Sequence, residues 1–490
     1  MPEHRFGDMD PEAFRHEAHR LADWIADYLA GSAGYPVLAR VGPGDIARQL
    51  PLEAPPRGES FDAIFADFEK IILPGITHWN HPGFFAYFAI TASGPGILAE
   101  FLSAALNQQA MLWRTSPSAT ELEEVTLRWL QRLIHLPDEF EGVIYDTASI
   151  STLHALAAAR ELAVDHVRAL GMPGRPELAG VRVYCSDQSH SSVDKAVILL
   201  GLGHASLRRI PSDGEFRMRV EALRAAIAED RAAGVTPMAI VATVGSTSTT
   251  SVDPLRPIAA LSAEQNIWLH VDAAYAGVAA MVPGYESILD GAAGADSLVV
   301  NPHKWLFTPF DASVLFCRRM DVLRSAFSLV PEYLKTTEPS GVRNLMDTGI
   351  QLGRRFRALK LWMVMRHFGA EGLRERLAEH MRLARLFAAW IDADAGFERL
   401  APVPFSVVCF RALAPGLTSD SDVDTLNERI LETVNRSGEV FVSHTRLNGR
   451  FAIRLAIGNL HTTERHVARA WELLRAARAE ASRLHPEKAN

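Results

Sequence analysis

The sequence predicts an α/β fold with a mostly parallel sheet sandwiched by helices. Between about Gly94 and Ala370, short apolar runs alternate with helical patterns, as in chains whose neighbouring strands are connected by helices. Four of these runs are almost continuously apolar, which is typical of strands buried on both faces: VRVYCSD, PMAIVATVG, IWLHVD and DSLVV. The length of 490 residues leaves room for further domains on either side.

The composition predicts a globular protein without nucleic-acid or membrane partners. Apolar residues make up 48% of the chain, and the net charge of −8 disfavours binding to phosphate backbones or anionic lipids. No export signal is visible, and no window approaches about 18 uninterrupted apolar residues. Cys185, Cys317 and Cys409 are far apart in or beside apolar runs and are interpreted as buried thiols, so we expect a cytoplasmic protein.

The amino-terminal residues 1–88 are predicted to form a helical segment. Asp10 and Pro11 are typical of a helix start, and apolar residues then recur at helical spacing until Gly31. A stretch rich in Pro and Gly follows, and helical periodicity returns over Phe61–Ile72. Because these helices are too few to bury their own apolar faces, we expect them to pack on the rest of the chain or on a second subunit.

Beyond the large domain, placed at residues 89–372, residues 373–490 are predicted to form a small α+β domain. A long helix is expected over Leu373–Ile391 and another from about Thr463. Between them lie the strand-like runs FSVVCFRAL, EVFVSH and RFAIRLAIG. Asn448 and Gly449 separate the last two runs, which predicts a hairpin and therefore an antiparallel sheet.

Lys304 is the first candidate for chemistry. It lies in NPHKWLFTPFD, directly after the predicted strand DSLVV, and is followed by Trp305, Leu306 and Phe307. Desolvation among such side chains lowers the pKa of an ammonium group toward that of a nucleophilic amine, which suits a Schiff-base lysine. The alternative is a lysine at the sheet edge whose hydrocarbon stem is buried and whose charge reaches water.

Asp272 ends the strand IWLHVD and is followed by Ala273 and Ala274. Small residues beside a carboxylate suit a flat heteroaromatic cofactor, because the ring can lie close while the acid pairs with a protonated ring nitrogen. A metal site of His270 and Asp272, completed by His303 or His190, is the alternative. The metal interpretation leaves Lys304 unexplained, so we expect no metal.

A phosphate site is predicted in VIYDTASISTLHALAAAR, where a strand breaks at Asp146 and a helix follows Thr147, Ala148 and Ser149. Backbone N–H groups and hydroxyls at a helix start bind phosphate readily, although an ordinary Ser/Thr cap would have the same sequence. The segment has neither the dinucleotide fingerprint nor the P-loop fingerprint.

Two more strand ends carry polar side chains that suit a ring. His190 is a candidate to stack on a cofactor ring and Ser191 to bind a ring substituent, while Thr247 is the residue of ATVGSTSTTSVDP expected to reach a ring oxygen. Ligands of open α/β sheets gather at the carboxyl ends of strands, where all these residues are predicted to lie. As a set they indicate pyridoxal 5′-phosphate (PLP).

The sequence resembles the group II PLP-dependent decarboxylases, and within them the aromatic L-amino acid decarboxylases. The likeness covers nearly the whole chain and rests on PGITHWNHPGFFAYF (Pro74–Phe88), TSPSATELE (Thr115–Glu123), SDQSHSSV, HVDAAYAG, NPHKW, PEYLK (Pro331–Lys335) and LGRRFRALKLW (Leu352–Trp362). It implies a fold type I homodimer with its active site at the subunit interface and a swapped amino-terminal segment.

The resemblance also implies a role for each site residue. Lys304 would carry the cofactor, Asp272 would pair with its ring nitrogen, and His190 and Ala274 would cover its two faces. Thr147, Ala148, Ser149 and Asn301 would surround the phosphate, Thr247 would lie beside the ring, and His303 would tune both cofactor and loop. Tyr333, in a loop that closes on the substrate, would act with His190 to deliver a proton to Cα.

The activity implied is decarboxylation of an aromatic L-amino acid to the arylalkylamine and CO2. Some family members are instead oxidative aldehyde synthases, in which the loop tyrosine is phenylalanine or the stacking histidine is asparagine. The presence of Tyr333 and His190 favours simple decarboxylation. A decarboxylase of non-aromatic amino acids, a metal-dependent hydrolase and a catalytically inactive relative remain as alternatives.

The resemblance implies a substrate pocket of Trp79, Tyr87, Phe88, Ile90, Gln109, Met111 and Gly353. Gly353 matches a position where relatives that accept indole rings carry glycine, whereas Ile90 replaces a hydroxyl residue of dopa-preferring relatives. Gln109 and Met111, expected from the neighbouring subunit, replace an apolar and an aromatic residue. An apolar Ile90 removes a hydrogen-bond donor for catechols, so we favour tryptophan, phenylalanine or tyrosine over dopa.

Overall fold

The computed structural model describes residues 8–175, 180–329 and 342–483. Its strands are β1 (Phe84–Phe85), β2 (Glu141–Tyr145), β3 (Val181–Ser186), β4 (Leu207–Ile210), β5 (Thr236–Thr243), β6 (Trp268–Asp272), β7 (Ser297–Val300), β8 (Ser313–Cys317), β9 (Phe397–Arg399), β10 (Val407–Ala412), β11 (Phe441–Leu447) and β12 (Arg450–Ala456). Its helices are α1 (Pro11–Gly31), α2 (Phe61–Asp67), α3 (Gly94–Leu106), α4 (Pro117–Leu133), α5 (Ala148–Ala163), α6 (Val167–Leu170), α7 (Ser192–Leu199), α8 (Val220–Ala232), α9 (Leu255–Gln265), α10 (Pro302–Trp305), α11 (Met320–Phe327), α12 (Ala358–Ala393), α13 (Asp420–Arg436) and α14 (Glu464–Arg483).

A seven-stranded sheet of order β2-β8-β7-β6-β5-β3-β4 forms the large domain, and the predicted α/β class is confirmed. Neighbouring strands pair in parallel from β7 to β4, whereas β8 is antiparallel to both β2 and β7. Successive strand residues face opposite layers. Ala239 belongs to the apolar cluster that contains side chains of α5, α7 and α11, and Ile240 to the cluster that contains side chains of α4, α8, α9 and α12. Burial on both faces explains the continuous apolar runs of these strands.

The carboxy-terminal residues form a second sheet, of order β1-β11-β12-β10-β9. The pairings among β9, β10, β11 and β12 are antiparallel, as predicted. Asn448 and Gly449 have φ of +51° and +82°, so the predicted hairpin is confirmed and uses the left-handed turn that its sequence favours.

The amino-terminal segment contributes more than helices. Helix α1 begins after Asp10, whose carboxylate accepts the N–H groups of Glu12 and Ala13, and no α1 side chain is buried within this chain. The two residues of β1 pair in parallel with β11 and extend the carboxy-terminal sheet, which the helical prediction for residues 1–88 did not include. A side chain on Gly83 would collide with the carbonyl of Glu439, so glycine permits this pairing.

Helix α12 joins the two sheets and is interrupted at Gly369, whose φ of +64° lies in the left-handed region. The long helix predicted from Leu373 therefore has a shorter helical stretch in front of it. Among the described helices, none combines the length and apolar character that crossing a bilayer requires.

Candidate active site

A cavity of about 190 Å³ opens where the strands of the large sheet end. It brings together eleven residues that the sequence predicted: Phe88, Thr147, Ala148, Ser149, His190, Thr247, Asp272, Ala274, Asn301, His303 and Lys304. Three further residues complete the wall, Thr243, Gly245 and Tyr275, and these were not predicted. Residues far apart in sequence meet here because parallel strands end at the same edge of the sheet.

Lys304 lies in α10, the short helix after β7, and its backbone N–H donates to the carbonyl of Asn301 at 2.9 Å. Burial lowers the pKa of the Lys304 ammonium group, and the cation of Arg454 lowers it further, while Asp272 opposes both effects. Its Nζ lies 5.2 Å from the centroid of the Phe88 ring. The neutral, nucleophilic amine is therefore more accessible at Lys304 than at a lysine in water.

Asp272 is the last residue of β6 and its side chain is buried. One carboxylate oxygen, Oδ1, accepts the backbone N–H of Ala274 at 3.1 Å, which fixes the orientation of the group. Ala273 and Ala274 are also buried, and they leave room beside the carboxylate that a larger side chain would fill.

Two histidines of the cavity wall are held in one tautomer. Nδ1 of His190 accepts the N–H of Ser192 at 3.1 Å, and Nδ1 of His303 accepts the N–H of Ala312 at 2.9 Å. The proton of each neutral ring is therefore on Nε2. Burial lowers the pKa of His303 to about 3 and also lowers the pKa of His190, so both rings are neutral hydrogen-bond donors near pH 7.

The start of α5 fits a phosphate group. The hydroxyl of Thr147 donates to Asp146 at 3.2 Å and makes no capping bond to the helix. The first N–H groups of α5 are therefore free to donate hydrogen bonds to a ligand. Asn301 Oδ1 and Thr243 Oγ1 are buried polar atoms with no hydrogen-bond partner in the described part of the chain. A polar ligand in the cavity would satisfy both, so these residues fit PLP.

Other predicted residues lie away from this wall. Ser191, Trp79, Tyr87 and Ile90 do not line the cavity, although Tyr87 directly precedes Phe88. Tyr333 lies outside the described residues.

Gln109, Met111 and Gly353 form a separate cluster. Gln109 Oε1 accepts the N–H of Arg354 at 3.0 Å, and its Nε2 donates to the sulfur of Met111 at 3.3 Å. Gln109 and Gly353 are exposed in the single chain.

The arrangement gives little support to a metal site. Both ring nitrogens of His270 have protein partners, Ser297 Oγ at 2.9 Å and Thr152 Oγ1 at 3.4 Å. No group of three or more His, Cys, Asp or Glu side chains within the described ranges is placed to hold a metal ion.

Sequence reasoning missed the two residues that contact the Phe88 ring, Tyr275 in the cavity wall and Arg454 behind it. Tyr275 stacks on Phe88 with a centroid separation of 3.8 Å, and Arg454 of β12 places its guanidinium 4.7 Å from the same ring. A charged residue inside the apolar run RFAIRLAIG was the available signal for Arg454, because β12 is otherwise a buried strand.

Comparisons with known proteins agree with this chemistry. The model of the pyridoxal-dependent decarboxylase conserved domain matches residues 43–413. Tryptophan decarboxylase 2 of Oryza sativa subsp. japonica is 41% identical over 478 residues, which are 95% of each chain. Phenylacetaldehyde synthase of Arabidopsis thaliana is 40% identical over 476 residues, which cover 95% of this chain and 96% of that one. The crystal structure of Oryza sativa TDC with PLP and tryptamine superposes with a TM-score of 0.93 at 36% identity, covering 97% of this chain and 99% of that one.

Proposed function

Because the chain belongs to the pyridoxal-dependent decarboxylase family, with the fold type I architecture, we propose that it is a PLP-dependent carboxy-lyase that converts an aromatic L-amino acid to the arylalkylamine and CO2. One observation supports this proposal most strongly. A lysine with a lowered pKa, a buried carboxylate and an open helix start lie around a single cavity at the strand ends.

Each end of the cavity has a distinct task. Lys304 would hold the cofactor through its amine, the Asp272 carboxylate would pair with the ring nitrogen, and the N–H groups at the start of α5 would hold the phosphate. When bound, PLP supplies an electron-accepting ring for the electron pair that CO2 leaves behind. His190 would lie over one face of this ring and Ala274 against the other.

The remaining residues handle protons and water. The Nε2–H groups of His190 and His303 can donate hydrogen bonds, and the lowered pKa of each ring favours its neutral form. The stacked rings of Phe88 and Tyr275 cover one side of the cavity with apolar surface and limit the entry of water. We propose Tyr333 as the donor of the proton that replaces the carboxylate at Cα.

We propose that the enzyme is a homodimer whose site is completed by the second subunit. No side chain of helix α1 is fully buried in the single chain. Apolar residues of α1, α3 and the segment before α12 are exposed: Phe14, Leu98, Phe101, Leu102, Leu106, Ile350 and Leu352. A second copy that covers this surface would bring Gln109, Met111 and Gly353 to its neighbour's cavity. Three buried free thiols also support a reducing, cytoplasmic location.

For the substrate we propose tryptophan, phenylalanine or tyrosine. The relatives include tryptophan decarboxylases and tyrosine decarboxylases. An oxidative aldehyde synthase is the second candidate, because the phenylacetaldehyde synthase is about as similar to this chain as the decarboxylases are. His190 and Tyr333 favour the decarboxylase.

Product analysis tests this proposal. Tryptophan, phenylalanine, tyrosine, dopa and histidine are offered in competition, and CO2, amine, aldehyde and peroxide are measured. Amine equal to CO2 is expected, and aldehyde with peroxide in proportion to CO2 would establish the synthase instead. Borohydride reduction followed by peptide mapping should find the cofactor on Lys304, and Lys304→Ala should abolish turnover. An unmodified Lys304 in fully loaded protein would overturn the assignment.

A further inference from the structure

Arg454 reaches from the carboxy-terminal sheet to two segments beside the cavity. Its side chain is 4% exposed, and its guanidinium donates from Nη1 to the carbonyl of Tyr87 at 2.7 Å and from Nε to the carbonyl of Ser248 at 3.1 Å. These two carbonyls are 161 residues apart in sequence. One planar group therefore fixes the distance between two loops that share no strand.

Both loops form the cavity wall. Ser248 follows Thr247, a wall residue, and Tyr87 precedes Phe88. The centroid of the Phe88 ring is 4.7 Å from the guanidinium carbon of Arg454 and 5.2 Å from Nζ of Lys304. The turn at Tyr87 has a φ of +54°, a conformation that a tyrosine adopts only when its surroundings hold it. The bond from Arg454 to the Tyr87 carbonyl is one of the contacts that hold it.

Stability alone does not account for an arginine at this position. Its third nitrogen, Nη2, is buried without a partner in the described chain, and burying an incompletely paired guanidinium opposes folding. An apolar side chain would pack into the sheet without that cost. The two loops require the planar guanidinium, which can donate to both carbonyls at once, rather than the packing of the arginine's hydrocarbon chain.

We infer that Arg454 is a positioning residue that holds Phe88 and Thr247 in place over Lys304 and thereby sets the substrate side of the cavity. This inference rests on the proposed function, since it assigns the Phe88 side to the substrate. It places a determinant of substrate binding in the carboxy-terminal sheet, outside the strand ends that hold the cofactor.

Two substitutions distinguish the role of the two hydrogen bonds of Arg454 from the role of its positive charge. Arg454→Lys keeps a cation but can donate to only one of the two carbonyls. Arg454→Met removes the cation and both hydrogen bonds. Arg446→Met is the matched control, because Arg446 lies on the neighbouring strand β11, is more than half exposed and pairs with Asp424 at 2.7 Å. Amide hydrogen exchange of residues 84–90 and 244–250 is measured on the holoenzyme, together with KM, kcat and cofactor content.

We expect both Arg454 variants to lose exchange protection in these segments and to raise KM by about tenfold to a hundredfold, the range for losing hydrogen bonds from a charged group. We expect kcat to fall less than KM rises, and Arg454→Lys to lie between Arg454→Met and wild type. The control should match wild type. If Arg454→Met does not fold, Arg454→Gln gives the same comparison.

Unchanged KM and unchanged exchange in folded Arg454 variants, even with a lower melting temperature, would show a merely structural arginine and overturn the inference. The proposed function fails by a different result, the absence of cofactor on Lys304 after borohydride reduction. The two failures are therefore distinguishable.

Discussion

The buried ion pair of Glu123 and Arg354 permits a quantitative test of how the large domain supports the site. Arg354 Nη2 lies 2.7 Å from Glu123 Oε1, and both side chains are at most 5% exposed. Glu123 also accepts the N–H of Ile144, while Arg354 donates to the carbonyls of Ile144 and Ala110. The pair thus connects α4, the end of β2 and the Gln109–Gly353 cluster, and β2 leads directly to the predicted phosphate site.

The structure sets the expected free energies. Glu123→Leu leaves a buried guanidinium without its counter-ion, which costs about 3–5 kcal/mol of unfolding free energy. It also leaves the Ile144 N–H unpaired, which adds about 1–3 kcal/mol. Arg354→Leu leaves the buried Glu123 carboxylate without its counter-ion and the carbonyls of Ala110 and Ile144 without this donor. In the double variant neither charge remains, so its loss should be smaller than the sum of the single losses by up to about 3 kcal/mol.

Wild type, the two single variants and the double variant form a double-mutant cycle. Urea unfolding of the four apo-proteins, followed by tryptophan fluorescence, measures their unfolding free energies. The control is the exposed pair Arg256 and Asp290, 3.0 Å apart, whose removal should cost less than about 1 kcal/mol. PLP affinity should fall in both single variants, because β2 positions the start of α5. Additive losses within about 0.5 kcal/mol would refute the reasoning, since they would mean that the two charges do not interact.

Three further predictions concern the site itself. Tyr333→Phe should keep cofactor binding but divert product from amine to aldehyde; an unchanged amine yield in the product assay would remove Tyr333 as proton donor. Because the pKa of His303 is lowered to about 3, the ring is already neutral at pH 5, so His303→Gln should lower kcat without changing the shape of its pH profile from about pH 5 to 9. If the wild-type profile had an inflection between pH 5 and 9 that disappeared in His303→Gln, the assignment of a neutral His303 ring would be contradicted. At Gly353, a Cβ would meet Gln109 Nε2 at an ordinary 3.4 Å, so Gly353→Ser should fold normally while kcat/KM for tryptophan falls relative to tyrosine; equal effects on both substrates would argue against a pocket role.

That the proposed cofactor-binding residues meet in one cavity was predictable from sequence, because most of them follow strands. A run such as IWLHVD identifies a buried strand locally, and the topology of parallel sheets then places Asp272 and Lys304 at one edge. Strand direction was not predictable in this way, because apolar periodicity is the same for both directions, and β8 is antiparallel. The pairing of β1 with β11 joins segments more than 350 residues apart, for which local patterns carry no signal.

Overall sequence similarity does not distinguish an amine product from an aldehyde product. A decarboxylase and an aldehyde synthase match this chain about equally well, which is expected if both need the same cofactor end. Under the proposed function, what separates their products acts on the proposed substrate side, where Phe88, Thr247 and the Arg454 contacts lie, or through Tyr333 as the proposed proton donor. Substitutions there change the fate of the substrate while Lys304 and Asp272 stay as they are. Product ratios of variants at Tyr333 and Arg454 therefore carry more information about this enzyme than its total activity does.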